Sequence, residues 1–173
     1  MDAQPHSRTR PLKLAARLRA RSPYDGEAGV ALVEFALVLP LLLLLLLGAL
    51  DFGKAFNYWI DETHLSNEAA RWAAVNKNPG PGATLQATIR QQADTPELRN
   101  GGSASIANPA QVCISFPSGT SNVGDPVRVS VSTTYTFLSF LGNKLGIVQN
   151  KQISASSTMR LEARPTNYSA GCA

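Results

Sequence analysis

The sequence predicts a membrane-anchored α+β protein: one long N-terminal helix packed on a small antiparallel sheet. Three observations carry that expectation. A 21-residue run from Val30 to Leu50 holds a single charged residue, Glu34. The stretch after it, "DFGKAFNYWIDETHLSNEAARWAAVNK", continues without a helix breaker. Further on, "PVRVSVSTTYTF" and "KQISASSTMRLEA" alternate apolar and polar positions as half-buried strands do. Four regions follow: a basic leader over 1–29, a transmembrane helix over 30–50, an amphipathic continuation over 51–77 and a small extracytoplasmic head over 78–173.

The apolar run is long enough to span. At the helical rise it reaches ~32 Å against a hydrocarbon core of ~30 Å, and this chain is too short to bury such a helix in a globular core. The preceding residues include Arg8, Arg10, Lys13, Arg17, Arg19 and Arg21. A cationic flank predicts a cytoplasmic N-terminus and a C-terminal part exported across the inner (cytoplasmic) membrane. Basic runs also bind nucleic acid. Beside an apolar span the membrane assignment is preferred, and the remainder from Asp51 onward, with 10 basic and 8 acidic residues, makes no case for nucleic acid. A secretory signal cut after the apolar run fits poorly, because "LLGALDFGKAF" lacks a small-x-small cleavage site.

Glu34 is costly at membrane depth, by about 2.5–3.5 kcal/mol on the mildest scale. It stands five residues after Gly29 and is followed by Phe35. One explanation is a carboxylate at the end of an anchor, snorkelling to the headgroups. The other is a processing signal. Pro40, inside the run, removes a helical hydrogen bond and introduces a kink; it either shapes helix packing or is simply tolerated in a single span.

The string "GVALVEFALVLPLLLLLLLGALDFGKAF" resembles the TadE-like family of minor pilins or pseudopilins of tight-adherence pilus systems. The residues that carry the resemblance are Gly29, Val33-Glu34-Phe35-Ala36, Leu39-Pro40, the leucine run and Asp51-Phe52-Gly53. Asn67, Ala70, Arg71, Ala73 and Ala74 of "LSNEAARWAA" extend it. The resemblance implies cleavage after Gly29 by a prepilin peptidase, leaving Val30 as a free amine that Glu34 of a neighbouring subunit neutralises. It implies partners among other pilin or pseudopilin subunits and membrane lipid, and possible incorporation in a surface pilus. The rival is an uncleaved single-pass anchor displaying a small binding domain.

Beyond the membrane, Phe52, Phe56, Trp59, Ile60, Thr63, Ala70, Ala73 and Ala74 recur at helical spacing and predict an apolar face. Lys54, Asp61, Glu62 and Glu68 are expected on a solvated one. "NKNPGPG" ends the helix. A short amphipathic helix is expected in "TLQATIRQQAD" with Leu85 and Ile89 inward, then a polar loop "NGGSASIANPAQ", then a strand "VCISF". The long second strand turns Val127, Val129, Val131, Thr133, Tyr135 and Phe137 to one side, and the last strand Ile153, Ala155, Ser157, Met159 and Leu161. "FLSFLGNKLGIVQ" between them is expected as an apolar loop or partial helix.

The two cysteines, Cys113 and Cys172, both fall on the side where disulfides persist. An intramolecular bridge is favoured; unpaired thiols or a crosslink through Cys172 to another subunit are the alternatives. With only His6 and His64 as histidines, no metal cluster or charge-relay set can be assembled. No cofactor and no enzymatic activity are expected.

Overall fold

The structure, a computed structural model, describes residues 24–137 and 149–173. Most of the expected apolar loop or partial helix between the two long strands, and most of the basic leader, lie outside them. The chain forms two compact units, Met1–Leu42 and Leu43–Ala173. In the first, the described residues are helical, and from Gly29 onward the apolar side chains are almost all exposed, Val30, Leu32, Val33, Phe35 and Leu37 among them. They belong to α1 (Tyr24–Ala74), a helix of 51 residues that includes Pro40.

The second unit begins within that apolar run and holds the sheet. Two short helices, α2 (Leu85–Arg90) and α3 (Pro96–Asn100), precede β1 (Gln111–Ser115), β2 (Pro126–Phe137), β3 (Gln149–Arg160) and β4 (Gly171–Cys172). The strands lie in the order β3-β2-β1-β4 and every pairing is antiparallel. The expected α+β architecture is therefore present. Alternation in β2 does what its sequence demands: Val127, Val129, Val131, Thr133 and Tyr135 are buried and their neighbours are not. On β3, Ile153, Ala155, Ser157 and Met159 share the inward side at half burial.

α2 starts as local chemistry requires, with the Thr84 hydroxyl accepting a bond from the Ala87 N–H. α3 was not foreseen, although Thr95-Pro96-Glu97 places a polar cap, a proline and an acid at its start. It stops at Gly101, whose φ is +67° and whose missing Cβ would sit 2.7 Å from the Ala107 carbonyl oxygen. Only glycine fits there.

α1 ends at Ala74, three residues before Lys77, in a left-handed turn at Asn76. The Lys77 N–H donates to the Trp72 carbonyl and the Asn76 N–H to the Ala73 carbonyl, the paired bonds of a Schellman motif. The C-terminal segment then covers the remaining carbonyls. Glu162 and Ala163 N–H donate to Ala74 O, and the Tyr168 hydroxyl donates to Ala73 O at 2.7 Å. Asn76 Oδ1 accepts from the Thr166 and Asn167 N–H groups. Cys113 and Cys172 are cross-strand partners and form the disulfide, closing a separation of 59 residues. The bridge thus holds the tail on the first strand, and the tail serves as a fourth strand and a helix cap.

The buried side of α1 within this unit differs from the expected one. Phe52, Phe56, Trp59 and Ile60 are exposed, whereas Asp51, Ala55, Tyr58, Asp61, Glu62, Leu65, Ser66 and Ala69 are buried, joined by Ala70, Ala73 and Ala74 from the expected face. The physical reason is size and polarity matching. Alanines let a helix approach a sheet closely, and the head supplies partners for two of the carboxylates, so the small-residue face wins over the aromatic one.

Replacing Cys113 and Cys172 by serine removes a constraint worth up to about 4 kcal/mol on the chain-entropy model for a loop of this size. The expected outcome is a lower unfolding midpoint together with early protease cleavage in 162–173. An unchanged midpoint would show that the tail's hydrogen bonds hold it without the bridge.

Candidate functional site

Two groups of residues carry the sequence-derived site. The first is the N-terminal part of α1. Gly29, Val30, Glu34, Phe35 and Pro40 all lie on this helix and all are exposed. A Cβ added at Gly29 would meet nothing within 4 Å, and its φ is not in the left-handed region. Glycine inside a helix costs roughly 0.5–1 kcal/mol relative to alanine. Neither packing nor backbone geometry in this chain therefore calls for glycine at that position.

The second group lies where the apolar run ends. Leu50 is exposed, and Asp51, the next residue, is buried. The Tyr135 hydroxyl, from the inward face of β2, donates to Asp51 Oδ1 at 2.6 Å and lies 3.2 Å from the Asp51 carbonyl oxygen. Burial, reinforced by this bond to Asp51, holds the Tyr135 phenol well above its usual range. Its ring packs against Tyr58 at 5.7 Å and edge-on against Phe137 at 4.8 Å. Of the Asp51-Phe52-Gly53 triplet, the aspartate faces the head, while Phe52 and Gly53 are exposed. Asn67 and Arg71, further along α1, are exposed as well.

Three turns beyond Asp51, Asp61 receives the start of α3. Its carboxylate accepts from the Asp94 N–H at 3.1 Å, the Thr95 N–H at 2.9 Å and the Thr95 hydroxyl at 2.8 Å. Carboxylates are favoured at a helix start, where backbone N–H groups lack intrahelical partners. Glu62 is fully buried, and neither of its oxygens has a hydrogen-bond partner of good geometry; the Thr133 hydroxyl, also buried, has none either. Burial first, and then the negative Asp61 beside it, push the Glu62 carboxyl up to about 9, with the Thr133 backbone N–H pulling the other way.

Asp61, Glu62 and Tyr135 were missed as junction residues because the two acids look like solvated helix charges and the tyrosine like one more core position. The signal was spacing: Asp61 and Glu62 stand ten and eleven residues after Asp51, three helical turns, and so share its face.

Among the described residues these features define a class: a protein with one exposed apolar helix, long enough to cross a bilayer and so suited to single-pass anchoring, and a small α+β head closed by a disulfide. Residues 29–71 match the family model described as TadE-like protein. No curated protein and no solved structure matches the chain.

Glu62 makes stability depend on pH. Its carboxyl is raised from the ordinary 4.5 to about 9 in the folded chain. Between those values the folded state holds a proton that the unfolded state has released, so stability is greatest below 4.5 and falls as pH rises toward 9, by at most about 1.4 kcal/mol per pH unit. Glu62→Gln is expected to remove that slope and to raise the unfolding midpoint at pH 8 relative to the parent. Parallel stability profiles for the two proteins would contradict it.

Proposed function

We propose that the chain is a TadE-like minor pilin or pseudopilin, a structural or assembly subunit of a tight-adherence pilus and not an enzyme. The observation that carries this is where the family match falls. It begins at Gly29 and runs through the apolar helix to Arg71, covering the expected processing site, the span and most of the helix's continuation beyond it. In this proposal a prepilin peptidase cleaves after Gly29 on the cytoplasmic side, where a glycine lets a protease approach the backbone closely. That the fold has no need of glycine there supports a role in recognition by something outside the chain.

Cleavage leaves a charged amine on Val30 near the bilayer boundary, and Glu34 becomes the fifth residue of the mature chain. A buried amine or carboxylate alone is costly, whereas the two together offset much of that cost. Pairing Glu34 of one subunit with Val30 of its neighbour therefore sets axial register between helices. Phe35 and Pro40 shape the surrounding helix surface, and the exposed Asn67 and Arg71 are available to adjoining subunits. The N-terminus is cytoplasmic and the head extracytoplasmic, as the basic flank requires.

The test is the N-terminal sequence of the protein purified from membranes of its own host, beside a Gly29→Leu variant. An added side chain at this position has open space around it, so the variant is expected to fold. The parent should begin at Val30 and the variant should retain its leader. A parent that retains residues before Gly29, in cells with an active prepilin peptidase, would make the chain an uncleaved anchor with a surface domain.

A further inference from the structure

Within the Leu43–Ala173 unit, exposed apolar surface does not stop where the apolar run stops. Leu43, Leu44, Leu45, Leu46 and Leu50 are 43–65% exposed, and Phe52, Phe56, Trp59 and Ile60 are 40–65% exposed, so the stripe continues at the same level of exposure for ten residues beyond the run. What changes at Asp51 is the other side of the helix, which from there is covered by the head. Four large exposed apolar residues this close together are more than the scattered surface hydrophobics of a water-facing helix.

The stripe has an end and a composition. After Ile60 the exposed positions on α1 turn polar, through His64, Asn67, Glu68 and Arg71. Before it, the stripe is made of two phenylalanines and a tryptophan, with the Phe56 and Trp59 rings 5.6 Å apart. Aromatic residues are what the headgroup layer of a bilayer selects. We propose that Phe52, Phe56 and Trp59 lie in that layer on the head's side of the membrane, with Ile60 at its upper limit, so that the head rests against lipid instead of standing off on a stalk.

Depth supports the assignment. At the helical rise Phe56 and Trp59 stand about 9 and 13 Å beyond Leu50. Side chains on a helix lean toward its N-terminus and cover the turn before their own Cα. For α1 that direction is back toward the apolar run, and it brings the two rings to about 4–8 Å beyond the core boundary. The headgroup layer is about 5–7 Å deep on each side, and the usual tilt of a span shortens the distance further. Counting Cα positions alone would leave Trp59 in water; counting where its ring lies does not.

The inference rests on the membrane anchoring proposed above, and its test separates the two. Trp59 and Trp72 are the chain's two tryptophans. Full-length Trp72→Phe, Trp59→Phe, and a Leu46→Trp variant lacking both native tryptophans are reconstituted in phosphatidylethanolamine/phosphatidylglycerol vesicles. The vesicles contain lipid brominated near the headgroup end of its acyl chains. Trp59 emission is expected to shift to the blue and to be quenched several-fold, as is the tryptophan at position 46, while Trp72 is not. If position 46 is quenched and Trp59 is not, the chain is anchored and the stripe does not meet lipid; blue-shifted emission in that case assigns it to a second copy of the chain. If neither is quenched, the anchoring fails and this inference with it.

Discussion

The hydrogen bond from Tyr135 to Asp51 is the constraint on which the rest of the head depends. Where the apolar run ends, one side of α1 passes from open to covered within a single residue, and the change is made by a carboxylate. Asp51 is the first residue after the apolar run and the first on α1 in this unit to be buried against the head. Its charge is met by a hydroxyl from β2, with an O–O distance of 2.6 Å. Hydrogen bonds to charged groups are worth about 1.5–3 kcal/mol, more than neutral ones. Because Tyr135 is one position in an alternating strand, seating it on Asp51 also sets which residues of β2 face α1. A slip of one residue would turn Val127, Val129 and Val131 to solvent.

The same face of α1 carries three acids, and the head deals with each differently. Asp51 meets a phenol, Asp61 meets the backbone N–H groups at the start of α3, and Glu62 keeps its proton. The first two solutions draw their partners from distant parts of the chain and so tie α1 to β2 and to the α2–α3 segment. In the third no side chain meets the carboxyl, which leaves a pH-sensitive weakness among the buried residues. At its other end α1 is tied by the tail, through Asn76, Tyr168 and the disulfide between β1 and β4. The head is therefore fastened to the helix both where the apolar run ends and at the far end.

Much of this was legible in the sequence, and the misses have physical causes. The span, the alternation in β2 and β3, the α2 helix and the Cys113–Cys172 pair follow from periodicity, length and compartment. The buried side of α1 did not, because both faces of its second half are apolar, one through alanines and one through aromatics, and hydrophobic periodicity weighs the larger side chains more heavily. Close packing on a sheet favours the smaller ones. α3 and β4 are each no longer than five residues, too short for a period to register. Of the site, Gly29, Glu34 and Asp51 stood out as residues, yet only the fold showed what Asp51 touches. That Phe52, Phe56 and Trp59 are exposed was likewise visible only in the fold.

The most direct test of the junction is a double-mutant cycle on the reconstituted full-length chain, using Asp51→Asn, Tyr135→Phe and the pair, with stability of the head followed by chemical denaturation. A cycle separates the Asp51–Tyr135 coupling from any other contact either residue makes. The double variant is expected to lose clearly less than the sum of the single losses, with a coupling of about 1–3 kcal/mol. Additive losses would mean that the two residues do not act together, and the head would then be held to the helix by apolar packing, the Asp61 hydrogen bonds and the tail.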